Sequence, residues 1–275
     1  MPGTMTRSDI RTFTRMLLAE SSASRWSDTD LNNLINYGAE DFALKTQILQ
    51  DIDTQAIVAS QEQYDLPTDY LTILKIEVRR GSTVYILEPL DRYEFFESTT
   101  PITGVPDRYW IFQEDLFIHP RYGTADQTTT LNGALTSTAT TITVASTASF
   151  SSIGRIIVNS EAMNYTGTTS TTFTGVTRAL EGTIAAAHSD GDTVRQRGLW
   201  IYFVKKPALL TSDTGTLGFP SQFDRAPAFY AAWISRMKSR DWDLAEQNRQ
   251  VYESHVQEGK LYIKKFWRDK VVVPK

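Results

Sequence analysis

The sequence predicts an α+β protein: a helical-bundle core with a small antiparallel sheet, interrupted by an inserted all-β domain. Three observations carry this reading. Apolar residues recur at helical spacing near both ends of the chain, and between them the period shortens to that of strands. Residues 128–197 then break the composition. That block of seventy residues holds twenty-six Ser and Thr and has no Lys, Pro or Trp. The domains expected are therefore a discontinuous helical domain with a small sheet (1–127 and 198–258), an inserted Thr/Ser-rich β domain (128–197) and a C-terminal arm (259–275).

The first helix follows Ser8 and places Ile10, Phe13, Met16 and Leu17 on one face. The second opens at Ser27-Asp28-Thr29-Asp30, a hydroxyl at the N-cap with a carboxylate three residues on and acidic charge in the first turn. Trp26 precedes the cap, in the position of a hydrophobic staple. Leu31, Leu34, Ile35, Gly38 and Phe42 mark one face, and glycine at 38, which costs about 1 kcal/mol in helix propensity, reads either as room for a neighbouring helix or as a tolerated residue. Strands are expected at Leu71–Val78 and Thr83–Leu87, then a short helix over Asp91–Phe96. A tight hairpin follows, pairing Tyr109–Phe112 with Leu116–His119, and the sheet resumes at Leu199–Lys205. Asp224 and Asp241 are the expected caps of two further helices. Within the Thr-rich block, strands are expected at Thr140–Val144, Gly154–Val158, Ala162–Thr166, Thr171–Val176 and Thr193–Gln196. Threonine suits a pleated surface because its Cβ is branched. The strands that flank the block read as neighbours in one sheet, so the ends of the insert must lie close together.

Composition narrows the chemistry. The chain has 275 residues, a net charge of −4 and no cysteine. Disulfides, Cys-based zinc sites and thiol nucleophiles are excluded. There is no signal-like N-terminus and no apolar run of about 20 residues, so no membrane partner is expected. His119, His188 and His255 are scattered and lack the spacing of metal ligands. Asp51-Ile52-Asp53 and Asp190-Gly191-Asp192 are paired carboxylates of the kind that hold a hard cation, and equally of the kind that close turns. A lone Glu20 or Glu161 lacks the second facing carboxylate that glycoside hydrolysis requires. No cofactor, metal site or catalytic residue is expected. From Gly259 onward six Lys or Arg stand against one Asp, so the end carries about +5 and the remainder about −9.

Short motifs give this order of parts a resemblance. Trp26-Ser27-Asp28-Thr29-Asp30-Leu31, then Tyr64-Asp65-Leu66-Pro67-Thr68-Asp69-Tyr70, then Tyr202-Phe203-Val204-Lys205-Lys206-Pro207 resemble the head-to-tail adaptor proteins of tailed bacteriophages, over roughly residues 7–122 and 199–260. The block at 128–197 resembles a small β module of phage structural proteins. It does so through Asn159-Ser160-Glu161-Ala162-Met163-Asn164-Tyr165-Thr166-Gly167, Val176-Thr177-Arg178-Ala179-Leu180-Glu181-Gly182-Thr183 and Ala186-Ala187-His188. The resemblance implies a structural connector in the virion neck, between capsid and tail, assembled in the host cytoplasm. Its partners would be the portal protein, further copies of itself in a ring of twelve, a downstream tail or nozzle protein, and double-stranded DNA passing through the channel without sequence readout. The candidate portal-docking residues are Lys264, Lys265, Phe266, Trp267, Arg268, Lys270, Val271, Val272 and Val273, a basic and aromatic arm expected to be disordered until it binds. Two alternative functions stay open: a receptor- or glycan-binding tail component acting through the β block, and a tail accessory factor with cell-wall hydrolase activity.

Overall fold

A computed structural model describes residues 5–20, 23, 25–80, 83–90, 102–180 and 183–270, without the side chains of residues 80 and 266–270. The expected helix at Asp91–Phe96 lies outside the described residues. The chain divides into two compact units. One comprises residues 1–51, 69–72 and 204–275, and the other residues 52–68 and 73–203.

Four α-helices form the first unit. Helix α1 (Arg7–Leu17) is capped by Thr6, two residues ahead of Ser8, after which it was expected to start. Thr6 accepts a bond from the Asp9 amide, and the Asp9 carboxylate accepts one from the Thr6 amide at 2.9 Å, a complete capping box. Helix α2 (Asp28–Thr46) is capped by Ser27, whose hydroxyl accepts from the Asp30 amide at 3.1 Å. Trp26 packs with Leu31, the staple that the sequence implied. Helix α3 (Ala226–Lys238) has no side-chain cap and starts with Pro227 in its first turn. Asp224, the expected cap, instead accepts a bond from the Met5 amide at 3.1 Å. Helix α4 (Trp242–Lys270) begins directly after Asp241, whose carbonyl accepts the first bond of the ladder from Ala245.

The core of this unit gathers Ile10, Ile35, Phe42, Phe219, Phe223, Tyr252 and Val256, all essentially fully buried. Each large apolar side chain contributes on the order of 1.5–3 kcal/mol. Two glycines let the helices approach. A methyl group at Gly38 of α2 would lie 2.8 Å from Cβ of Tyr230 on α3, and one at Gly259 of α4 would lie 2.6 Å from Cγ2 of Thr46. Helix α4 therefore runs unbroken through the residue at which an arm was expected to leave the frame, and a docking segment over 259–275 starts inside a packed helix.

The sheets overturn the expected fold class. Among the described residues there are seventeen strands to four α-helices, so the chain is mostly β and not a helical bundle with a small sheet. The largest sheet has seven strands. They are β1 (Gln50–Gln55), β2 (Gln63–Asp65), β3 (Tyr70–Arg80), β4 (Thr83–Pro89), β6 (Arg108–Phe112), β7 (Asp115–His119) and β17 (Leu199–Lys205), in the order β1-β17-β3-β4-β6-β7-β2. It is also mixed, because β4 and β6 pair in parallel at Glu88↔Arg108 and Pro89↔Tyr109. The expected hairpin is present, with Trp110 opposite Phe117 and their rings stacked at 5.1 Å. The reason for the correction is physical. β1 (Gln-Asp-Ile-Asp-Thr-Gln) and β2 (Gln-Tyr-Asp) are short and polar, and pairing to neighbours, not their own propensity, makes them strands. A separate pair joins β5 (Thr103–Gly104) to β8 (Arg121–Tyr122).

Residues 128–196 add two more sheets. Strands β15 (Thr177–Leu180), β12 (Glu161–Tyr165), β11 (Gly154–Val158), β16 (Thr193–Gln196) and β9 (Thr128–Thr130) lie side by side in that order. Strands β10 (Thr141–Thr143), β14 (Thr172–Thr174) and β13 (Gly167–Thr168) form the other sheet. Ile142, Ile156, Val158, Met163, Tyr165, Phe173 and Val194 make a fully buried cluster among them.

Replacing Gly38 by Ala is expected to destabilise the protein by about 1–3 kcal/mol, because the added methyl meets Tyr230 at its Cβ, next to the backbone, where it cannot swing away. Gly123, which has open space, serves as the control. Chemical denaturation followed by helical circular dichroism measures both, and an unchanged midpoint for Gly38→Ala would show that the helices yield freely.

Candidate interaction surfaces and the root of the Thr-rich block

Three features organise the charged and aromatic groups of this chain. The first is the root at which residues 128–197 join the sheet. Asp126 Oδ2 accepts from the Ile57 amide at 2.6 Å and from the Gly198 amide at 2.7 Å. The Asp126 amide in turn donates to the Ile57 carbonyl at 2.8 Å, and the Arg79 amide donates to the Gly198 carbonyl at 2.8 Å. One buried carboxylate thus ties the chain just before the block to the chain just after it. A charged acceptor taking two backbone donors is a strong arrangement where water is excluded. Beside it, two guanidiniums lie over the Trp200 ring, Arg79 at 3.7 Å and Arg155 at 4.6 Å from its centre. Arg155 belongs to β11 and Trp200 to β17, so a cation–π contact couples the block to the sheet that carries it.

The second feature is an ionic knot inside the block. The Glu161 side chain is 1% exposed. It accepts from Arg178 at 2.6 and 2.7 Å, from His188 Nε2 at 2.9 Å, and from the amides of Ala179 and Ala186 at 3.2 and 3.0 Å. Arg178 also donates to the carbonyls of Thr136 and Ala186. His188 therefore carries its proton on Nε2, and its Nδ1 faces the Asn159 amide at 3.3 Å. Burial acts most strongly on Glu161 and raises its pKa, but the bonds from Arg178, Ala186, His188 and Ala179 overcome it and hold the carboxyl down at about 2. The motif residues Glu161, Arg178 and His188 meet here because β12 and β15 pair and the following loop folds back, a convergence that sequence spacing alone cannot show.

The third feature is the outer face of α4. Lys264 and Lys265 are exposed there, beside Leu261 at 66% exposure. Phe266, Trp267, Arg268 and Lys270 continue the helical backbone, and Val271, Val272 and Val273 lie outside the described residues.

The remaining polar candidates fall into structural roles. Asp190 accepts from the Gly133 amide at 2.6 Å, and Asp192 from Ser189 and Asn159, so this pair organises a turn. Asp51 meets Lys205 at 3.2 Å and Asp53 meets Gln55. Glu20 pairs with Arg15 at 2.9 Å. His119 tilts against Trp110, and His255 lies against Phe229. Among the described residues no group of three His, Cys, Asp or Glu side chains could hold a metal ion, and no helix is long and apolar enough to cross a membrane.

The knot makes a prediction about pH. An ordinary glutamate titrates near 4.5 and this one near 2. Its stabilisation is complete above about pH 4.5 and is lost as the pH falls toward 2, with a span on the order of 3 kcal/mol. Glu161→Gln should remove that acid transition and, by leaving the Arg178 charge buried without its partner, destabilise the block by about 3–5 kcal/mol at neutral pH. Hydrogen exchange at the Ala162, Ala179 and Ala186 amides reads both effects. Protection unchanged between pH 5 and 2.5 in the unsubstituted protein would rule out the coupling.

No curated protein matches the chain. The model of one protein family, described as SU10 adaptor protein, matches residues 5–260, which takes in α1 to α3, the first part of α4, the seven-stranded sheet and the Thr-rich block. The chain therefore belongs to the SU10 adaptor protein family and is a structural protein of the bacteriophage adaptor type.

Proposed function

We propose that this protein is the head-to-tail connector of a tailed bacteriophage. Twelve copies form a ring beneath the portal, extend the channel through which double-stranded DNA passes, and offer the tail or nozzle its attachment surface. The observation that carries the reading is the family match across residues 5–260. The chemistry agrees with it: the ionic groups described above are consumed in holding the fold, as a connector needs, and we assign the chain no catalytic step. The basic and aromatic residues Lys264, Lys265, Phe266, Trp267, Arg268, Lys270, Val271, Val272 and Val273 are the portal-docking segment. Lysines there would give attraction that salt screens, whereas Phe266 and Trp267 seated in a pocket would persist at high salt.

The experiment is electron microscopy of the purified protein mixed with its portal, together with a truncation after Lys265. That cut spares Gly259 and Ile263, which pack in the helical core. Loss of the two aromatic anchors should weaken portal binding by about 2 kcal/mol or more, roughly 30-fold in Kd, at low and high salt alike. Binding unchanged at both salts would remove the docking role from this segment. Heads that join tails and retain DNA without this protein would end the connector reading itself.

A further inference from the structure

Helix α3 separates α1 from α4. Phe229 of α3 meets Phe13 of α1 and His255 of α4, each at 5.6 Å between ring centres. Helix α3 packs against all three other helices, whereas α1 and α4 at most graze each other. The outer sides of α1 and α4 are therefore two different faces of the bundle. The four helices also share an end, where α1 and α3 finish and α2 and α4 begin. Arg236 of α3 donates to the Leu17 carbonyl there at 3.2 Å, and Lys238 lies over the Trp26 ring at 5.8 Å from its centre. At the far end the Met5 amide meets Asp224, and Phe223 packs edge-on against Tyr262 at 5.7 Å.

The two faces carry opposite charge at each end. At the shared end Arg25 and Lys238 stand exposed on the α1 side, and Asp243 and Glu246 stand exposed on α4. At the far end Asp9 is exposed on α1 and Lys260 on α4. Arg225, over the Phe13 ring at 5.1 Å, shares the Asp9 side and weakens attraction there, so the shared end carries most of the complementarity. Helix dipoles favour these signs at helix termini. They do not account for Arg25, which lies outside any helix, and the order of packing is what sorts the terminal charges into two complementary faces. Between the ends, Met16 on α1 is 64% exposed and Gln250 on α4 is exposed.

We propose that the α1 face of one copy docks on the α4 face of the next, with Arg25 and Lys238 against the neighbour's Asp243 and Glu246, and Asp9 against its Lys260. Charge complementarity selects a second copy of this chain as the occupant. With like ends together, α1 on α1 would set base against base and α4 on α4 acid against acid. Two different faces, on either side of α3, make a heterologous contact, and rotation about one axis repeats such a contact into a closed ring. With that axis along the helices, each end of the bundle stays level with its counterpart in the next copy. The contact is exposed and polar, so each one is weak and the ring closes on a template. This inference rests on the connector reading for its ring, and it leaves the segment from Lys264 onward to the portal.

The chain has no cysteine, so an introduced pair reports the contact directly. The full-length variant with both Met16→Cys and Gln250→Cys is oxidised with and without portal at low ionic strength. The expected product is a ladder of disulfide-linked oligomers, because each copy then bonds to a different neighbour on either side, and added salt should slow it. Met16→Cys or Gln250→Cys alone should give little dimer. Dimers formed by either one as fast as the ladder would reveal a two-fold contact and overturn the proposal. Adding Arg25→Glu with Lys238→Glu, or Asp243→Lys with Glu246→Lys, should slow the ladder about tenfold or more. The chain with all four reversals should recover it, and failure to recover overturns the pairing. Portal binding is scored on the same samples. A protein that binds portal without forming the ladder refutes this contact and leaves the connector reading standing. The ladder without portal binding does the reverse, and neither ladder nor binding refutes both.

Discussion

The buried carboxylate of Asp126 is the constraint on which the β half of this molecule depends. A seventy-residue excursion can leave a sheet and rejoin it only if its two ends are held at one place. Two backbone amides from distant parts of the chain, Ile57 and Gly198, converge on one Asp126 oxygen. A neutral side chain there would satisfy them less strongly, and an apolar one would leave both donors buried without acceptors. With this point fixed, β17 starts in register, and Trp200 comes beneath Arg79 and Arg155. The Thr-rich strands can then complete a core of their own, which their small hydroxylated surface faces would otherwise do poorly.

The helical half depends on a different device, the removal of side-chain volume. Gly38 and Gly259 each stand where a methyl group would collide with a neighbour. Each costs about 1 kcal/mol in helix propensity. Close approach repays it through ring contacts between Phe42, Phe219, Phe223 and Tyr252, at 5.4–6.4 Å from Phe42. The Tyr252 hydroxyl donates to Asp41, so a large ring is buried without stranding its polar end. Burial and the adjoining Asp41 together hold that hydroxyl protonated well above the ordinary range for tyrosine.

The sequence made some of this legible and hid the rest for identifiable reasons. Ser27 and Trp26 announced α2 because capping is local chemistry, readable within four residues. The strand at 154–158 was legible through its aliphatics Ile156 and Val158. The size of the sheet was not, because β1 and β2 carry mostly polar residues and owe their conformation to partners far along the chain. Asp224 illustrates the same limit: an aspartate before an apolar helix reads as a cap, yet its carboxylate is taken by Met5 from the other end of the chain. Propensity sees neighbours in sequence, and here the deciding contact is tertiary.

The basic end of the chain was legible as composition and illegible as geometry. A count of lysines marked the end of the chain, but nothing in the count showed that Gly259 packs against Thr46 inside a helix. That difference changes the physics of the surface. Lysines on a disordered arm would have to be ordered on binding, at an entropic cost for each residue. Lys260 to Lys265 project instead from a helix already fixed by Tyr252, Val256 and Gly259, so the backbone part of that cost is met in folding. A preorganised charged face gains affinity by losing less freedom on contact. Long lysine side chains still keep their own rotamer freedom, so ordering them remains a cost that any contact made there would meet.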